Sequence, residues 1–356
     1  AHRWEHNSSK LTVALSLGGV TCLYYLLRGY GFAGSEPGVA AVGQVLHHAI
    51  ILDFIPFIIL LFSLYAISGG IRVTGNIPAR PLTNSAFLLF GALIASIVGT
   101  TGASMLLVRP LLQVNSERKN VAHTFVFFIF LVSNIGGALL PVGDPPLFLG
   151  YLRGVPFLWT LHLIPQWAFA VAVVLVVYYI FDAIAYKRES KQDIQFDETR
   201  KFGFQVRGRR NILLLLGVVV AVGLLVPGQR LPGTSFVLPN IYLREIAQLV
   251  LAAISWIWTP RQIHKENHFN FSAIGEVAAL FIGIFIVMQA PIEILKIKGE
   301  ALGVTTPLQF FWATGGLSSF LDNAPTYVVF FELAGSFQHL GNVPVLGGLM
   351  TATGHI

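Results

Sequence analysis

Two aspartates of this chain stand in short polar interruptions of otherwise apolar sequence. Asp144 belongs to SNIGGALLPVGDPP (133–146), which directly follows the apolar run 121–132, and Asp322 begins DNAPT (322–326). Six of the fourteen residues in the first interruption are Gly or Pro, so a helix that reaches it must unwind. Unwinding frees backbone carbonyls and amides, which can hold a cation or an anion, and a carboxylate beside them favours a cation or a proton.

The elements that must position both aspartates are membrane helices. Hydrophobic residues make up 54% of the chain and charged residues 11%, against about 25% charged in soluble domains. The mean hydropathy is +0.70, and apolar stretches of roughly the 20 residues that cross a bilayer recur along the chain. We expect an all-α polytopic membrane protein whose partner is the lipid bilayer. We expect no nucleic-acid partner, because most basic residues lie in short loops, where they report the orientation of a membrane protein. The stretches lie near 11–30, 46–70, 156–181, 211–227, 240–259 and 274–297.

The basic loops predict the orientation of these helices. The most basic loop, 183–210, is expected in the cytoplasm. If segment 84–113 enters and leaves the membrane on one side, sixteen of the 23 Lys and Arg face inward, six face outward and Arg109 lies within the segment. A full crossing would instead move loop 71–83 outside. The charge pattern therefore predicts a re-entrant helical hairpin at 84–113, with the small polar turn GTTGA (99–103) at its tip.

A shift of 222 residues reveals a weak internal repeat, in which 96–112 falls over 318–334 and 54–69 over 276–291. The predicted topology gives the second pair of segments opposite directions across the membrane. We therefore expect two inverted repeats, each with a re-entrant hairpin and a broken transmembrane helix. The counterpart of Ser133 would be residue 355, so we expect the second repeat to be incomplete at Ile356. The predicted order is an N-terminal span and outer loop (1–45), repeat 1 (46–182, hairpin 84–113, broken helix 121–151), a cytoplasmic linker (183–210), connecting spans (211–271) and repeat 2 (272–356, hairpin 305–336).

Several charged residues admit more than one interpretation. Asp144 could lie in an outer-loop turn, and DNAPT could be a simple extracellular loop, although the position of both within apolar sequence favours a buried site. Asp53 and Glu276 begin matching spans and are candidates for ion coupling or for interfacial and helix-capping roles. Arg109 is a further coupling candidate, which could pair with a carboxylate or hold a substrate anion.

Two long segments carry a family resemblance. SNIGGALLPVGDPPLFLGYLRGVPF and LSSFLDNAPTYVVFF resemble the ion transporter superfamily, which includes NhaD-type sodium/proton antiporters, citrate and dicarboxylate transporters and arsenite exporters. The resemblance implies an inverted-repeat homodimer in the bacterial inner (plasma) membrane, with a further helix before Ala1. The two hairpin tips contain TTG and DNAP, whereas the tips of the dicarboxylate carriers contain Ser-Asn-Thr. This difference favours a cation over a dicarboxylate as the bound substrate. The implied site residues are Thr100 and Thr101 at the first tip, Ser133, Asn134, Gly136, Gly137 and Asp144 in the broken helix, and Asp322, Asn323 and Thr326 at the second tip.

These observations predict a secondary active transporter that exchanges sodium for protons by alternating access. Asp144 and Asp322 would be the titrating ligands. We expect no enzymatic activity, and no cofactor apart from the sodium ions or protons that are transported or coupled. A sodium- or proton-coupled citrate or dicarboxylate transporter is the first alternative, followed by an arsenite or metalloid exporter. An aspartyl intramembrane protease would also need two aspartates, but its Pro-Ala-Leu motif is absent. A passive channel is a further alternative, which stoichiometric counter-transport would exclude.

Overall fold

The computed structural model describes residues 7–190, 192, 194–195, 199, 202–230, 234–235, 237–239 and 242–336. Some residues used in the sequence predictions lie outside the described residues. They are four of the basic residues counted for orientation (Arg3, Lys191, Arg200 and Lys201) and residues 337–356 of the predicted second repeat.

The protein is mostly helical, which confirms the predicted class of a helical membrane protein. Five helical stretches in the described residues are long and apolar enough to cross a bilayer. Four of them fall on predicted apolar stretches, because long apolar runs form spanning helices that satisfy their own backbone groups. The fifth, Pro81–Val98, is the first arm of the predicted hairpin, and the predicted stretches 211–227 and 240–259 contain the shorter helices Arg210–Leu224 and Leu243–Trp258. The inverted relation of the two repeats stays a prediction. The five stretches are Asn7–Leu27, Val39–Gly69, Pro81–Val98, Trp159–Tyr186 and Ser272–Lys298.

The helices and strands are numbered here in chain order. They are α1 (Asn7–Leu27), α2 (Val39–Leu46), a π-helical segment (His47–Phe54), α3 (Ile55–Gly69), β1 (Arg72–Asn76), α4 (Pro81–Val98), α5 (Thr100–Val114), α6 (Ala122–Phe128), a π-helical segment (Ile129–Asn134), a 3-10 turn (Ile135–Gly137), α7 (Pro145–Leu152), a 3-10 turn (Trp159–Leu163), α8 (Ile164–Tyr186), β2 (Phe202–Arg207), α9 (Arg210–Leu224), α10 (Leu243–Trp258), α11 (Arg261–Glu266), α12 (Ser272–Lys298), a 3-10 turn (Gly299–Leu302), α13 (Pro307–Ser318) and α14 (Asn323–Gly335).

The chain forms two compact units. Unit 1 contains residues 1–58, 148–156 and 270–356, and unit 2 contains residues 59–147 and 157–269. In unit 1, α1 packs against α12, and a Cβ added at Gly283 would lie 2.6 Å from the Ala14 Cα. Small residues allow two membrane helices to approach this closely. Ion pairs Lys10–Glu276 and Arg28–Glu293 join the same two helices near their opposite ends. Because the sequence separation of these pairs is nearly constant, the two helices run parallel.

Unit 2 contains a two-stranded antiparallel sheet that the sequence analysis does not predict. Val73 of β1 pairs with Val206 of β2, and Arg72 pairs with Arg207. Both arginines also form ion pairs with Glu266, at 3.1 and 2.9 Å. Partial desolvation raises the pKa of the Glu266 carboxyl, but the hydrogen bonds from Arg207 and its neighbours outweigh this effect and hold that pKa below its usual value.

A buried polar cluster joins several helices of unit 2. The Asp182 carboxylate of α8 accepts hydrogen bonds from Arg118 Nη2 at 2.7 Å and Nη1 at 3.2 Å, and it lies 2.9 Å from His123 Nε2 of α6. Asn84 of α4 and Asn115, just after α5, exchange amide hydrogen bonds of 2.9 and 3.2 Å beside it. Charges inside a membrane protein are costly unless paired, so this cluster fixes the ends of the helices that carry its members.

Candidate functional site

The tip of the α4–α5 pair is a single glycine, and the predicted turn 99–103 is shorter than expected because α5 already begins at Thr100. Gly99 has φ +82°, and a Cβ there would lie 3.1 Å from Leu64 Cδ1 and 3.2 Å from the Val142 carbonyl. This conformation favours glycine, and it reverses the chain between two helices. A Cβ at Gly91 of α4 would contact Leu107 of α5, eight residues on the other side of the tip, so the two helices are antiparallel. That this pair enters and leaves the membrane on one side stays a prediction.

The helix after α5 is broken where the sequence predicts. Regular α-helix ends at Phe128, a π-helical segment and a 3-10 turn carry the chain to Gly137, and helix resumes at Pro145. Side chains from elsewhere in unit 2 take up the freed carbonyls of this segment. Trp167 Nε1 donates to the Ile135 carbonyl at 3.0 Å, and Thr160 Oγ1 donates to the Leu139 carbonyl at 2.8 Å. Backbone irregular at membrane depth is tolerated where protein surrounds it in this way.

The hairpin tip and the broken helix are bonded to each other. The amide of Thr100, at the N-terminus of α5, donates to the Gly143 carbonyl at 2.9 Å. A Cβ added at Gly137 would lie 2.6 Å from Thr100 Cγ2, 2.7 Å from the Gly143 carbonyl and 3.0 Å from Asp144 Cβ. Thr100, Gly137 and Asp144, which the sequence analysis assigns to one site, therefore lie in contact.

Hydroxyl groups extend the contact between the two elements. Ser104 of α5 and Ser133 share a hydrogen bond of 2.8 Å, and Ser96 of α4 donates to the Gly136 carbonyl. Thr100 is buried, whereas Thr101 and Asn134 are exposed. The structure thus joins the first tip and the broken helix through a backbone amide and hydroxyl groups.

One candidate residue of the second tip, Asp322, caps a helix, and the other two bond beside it. In unit 1, Asp322 precedes α14, and its Oδ1 accepts from the Ala324 amide at 2.9 Å. Asn323 accepts a 2.7 Å hydrogen bond from Ser318, and the buried Thr326 donates to the Asp322 carbonyl at 2.9 Å. The α13–α14 pair is antiparallel, since Phe310 contacts Phe330 across the turn. The Asp322 carboxylate thus has a structural role, N-capping of α14.

A second group of charges lies in unit 1, around a residue that the sequence analysis does not single out. Arg153 Nη2 lies 3.2 Å from Asp53 Oδ2, and its Nε lies 3.2 Å from Glu332 Oε1. Gln289 donates to Asp53 Oδ2 at 3.4 Å, and Lys296 lies 3.5 Å from Glu332 Oε2. The three side chains of the central bridge are 12 to 14% exposed. Two mostly buried carboxylates therefore share one guanidinium.

The other two coupling candidates make simpler contacts. Arg109 donates to the backbone carbonyl of Glu266 at the end of α11, so it holds a freed helix carbonyl. Glu276 pairs with Lys10 and is half exposed. Among the described residues, no three His, Cys, Asp or Glu side chains lie close enough together to hold a metal ion. A sodium ion at Asp144 would accordingly need hydroxyl or carbonyl oxygens as its remaining ligands.

Sequence reasoning also overlooks Glu332, a partner of Arg153. Its signal is an acid inside the apolar run YVVFFELA (327–334), because such an acid requires a partner in the membrane. Arg153 carries a weaker signal, since an arginine just after a short apolar helix also suits a membrane boundary.

The comparisons with known proteins give one match. Residues 1–352 of this chain match the protein family described as "Putative citrate transport". No curated protein and no solved structure matches the chain.

Proposed function

The chain belongs to this citrate-transport family, and from that premise we propose that it carries citrate or a related organic anion across a bacterial plasma membrane, coupled to a cation. The observation that supports the proposal is the 2.9 Å hydrogen bond between the Thr100 amide and the Gly143 carbonyl. It brings the N-terminus of α5 to the unwound backbone around Asp144. Helix N-termini favour carboxylates, and unwound carbonyls favour cations.

The charges of these segments argue for a coupling cation. Residues 96–108 and 133–146 contain a single charged side chain, Asp144. Two like charges about 4 Å apart repel each other by about 4 kcal/mol at the effective dielectric typical of proteins. A citrate carboxylate near Asp144 would be expelled unless a sodium ion or proton first neutralised that group. The cation must therefore bind before the anion, and this order of binding couples the flux of the anion to the flux of the cation.

Sodium/proton antiport is the second candidate, and the half-buried position of Asp144 supports it. A carboxylate surrounded by hydroxyls and carbonyls can exchange a sodium ion for a proton without any organic substrate. In that case the amides at the hairpin tip would serve structure alone. The two candidates differ in whether an organic anion moves.

The test is uptake of labelled citrate by proteoliposomes that contain the full chain. We expect an inward sodium or proton gradient to drive uptake, and D144N to abolish the dependence on that gradient. E117Q removes a carboxyl in the connection after α5 and is the matched control, expected to transport normally. Sodium-driven pH change without citrate uptake would reject citrate and support antiport. Uptake by D144N with unchanged cation dependence would reject the site.

A further inference from the structure

An apolar groove runs along α4 in unit 2. It has a volume of about 630 Å³, within the size range of ligand pockets. Its wall on α4 extends from Thr83 to Val98, about 22 Å at the helical rise of 1.5 Å per residue. One leaflet of the hydrocarbon core is about 15 Å deep, so the groove is long enough for one lipid chain. The remaining walls are Ile71, Val73 and Ile77 around β1, Leu106 and Leu107 of α5, Val206 of β2, and Ile212, Leu215 and Leu216 of α9.

The lining of this groove is apolar except for Thr83, and part of it faces outward. Phe90 is 55% exposed and Leu216 is 45% exposed, whereas Leu215 is buried. The sheet contributes only its apolar face, because Val73 and Val206 line the groove while Arg72 and Arg207 point to Glu266 on the other face. In a membrane protein, such a groove offers contact to hydrocarbon.

Basic residues stand where the groove walls begin. Arg80 precedes α4 and lies three residues before Thr83, and Arg209 lies three residues before Ile212. Arg80, Arg209 and Arg210 are exposed. The charge pattern of the loops places all three on the cytoplasmic side. The N-termini of α4 and α9, next to these arginines, add partial positive charge.

From the apolar groove and the arginines at its start, we infer that this site binds an anionic phospholipid. One acyl chain fills the groove along α4, and the phosphate-bearing headgroup contacts Arg209 and Arg210 at the start of α9. Basic pockets beside membrane helices on the cytoplasmic side are suited to such headgroups. The charge complementarity selects this ligand over a neutral lipid.

The test is native mass spectrometry of the full chain, released from detergent with phosphatidylglycerol or with phosphatidylcholine of the same acyl chains. We expect the anionic lipid to remain bound and the zwitterionic lipid to dissociate. R209A/R210A should weaken phosphatidylglycerol binding about 25-fold, at about fivefold for each charge. K187A/R188A removes two exposed charges from the end of α8 and should bind the lipid as the wild type does.

The groove itself is tested by A86F, which places a ring against the acyl chain, with A168F on the exposed face of α8 as its control. We expect A86F to lose bound phosphatidylglycerol and A168F to retain it. Equal retention of both lipids, or equal loss in the two double variants, overturns the proposal. If A86F keeps the lipid but converts a dimer to a monomer, the groove belongs to a second copy of the chain and the lipid site is rejected.

Discussion

A methyl group added at Gly137 tests whether the hairpin tip and the broken helix act as one site. In Gly137→Ala the new Cβ would lie 2.6 Å from Thr100 Cγ2 and 2.7 Å from the Gly143 carbonyl. Favourable carbon contacts lie at about 3.5–4.0 Å, so these neighbours must move by about 1 Å. The Thr100 amide is bonded to the same Gly143 carbonyl, and displacement of either residue strains that bond.

We expect Gly137→Ala to lose about 1–3 kcal/mol of stability, the usual cost of overpacking, and to lose most of its citrate uptake. Thermal unfolding in detergent and uptake in proteoliposomes measure the two effects. Gly19→Ala is the matched control, because a Cβ at Gly19 of α1 has no neighbour within 4 Å. It is expected to be neutral or to gain up to about 1 kcal/mol, since alanine is the better helix former.

A second substitution separates the contact from other effects of the methyl group. Thr100→Ser removes Cγ2 and leaves the amide bond to Gly143 in place. In the Gly137→Ala background, Thr100→Ser should recover part of the lost stability, because it removes the contact with Cγ2. The recovery should be incomplete, because the close contact with the Gly143 carbonyl remains. A Gly137→Ala protein with normal stability and uptake would refute the reasoning, as would the absence of any recovery in the double variant.

Three further predictions concern charged groups outside this contact. Asp182→Ala removes the carboxylate that accepts two hydrogen bonds from the buried Arg118 guanidinium and leaves it the more distant Glu189 carboxylate at 3.9 Å, so it should cost about 3 kcal/mol in thermal unfolding, the low end for a broken buried pair. Arg153→Gln should destabilise by a similar amount, and Arg153→Lys by less, because lysine keeps the charge but cannot bridge Asp53 and Glu332 with two nitrogens. The pKa of Glu266 in the folded protein is lower than its ordinary value of 4.5. Its contribution to the free energy of unfolding is therefore complete above pH 4.5 and is lost as the pH falls through the pKa of the folded protein. E266Q should therefore lose less stability than the wild type on acidification, measured by thermal unfolding across that range.

The apolar spans and the polar breaks could be predicted because their causes are local. Long apolar runs require helices in lipid, and the Gly and Pro residues of 133–146 cannot continue one. A repeat and a resemblance assign Thr100 and Ser133 to one site, and the structure connects their segments through the hydrogen bond between the hydroxyls of Ser104 and Ser133. The inverted topology rests on charge and stays a prediction.

The remaining contacts depend on residues far apart in the chain. Strands β1 and β2 pair across more than a hundred residues, and neither has the length or the alternation that would indicate a sheet by itself. Arg109 binds a backbone carbonyl, and sequence does not reveal which carbonyls a helix end leaves free. The partners of Asp53 are likewise hidden, since Arg153 lies 100 residues and Gln289 lies 236 residues further along the chain.

Protection of an introduced cysteine tests the proposed site most directly. Cys22 is the single native cysteine, so Cys22→Ser provides a background for Asn134→Cys, an exposed position in the broken helix. We predict that citrate together with sodium or protons slows maleimide labelling at position 134, and that citrate without the coupling cation does not. Ser116→Cys, exposed after α5, should label at one rate under all conditions. Labelling at position 134 that is unaffected by citrate, in a protein that transports citrate, would contradict the assignment of the site.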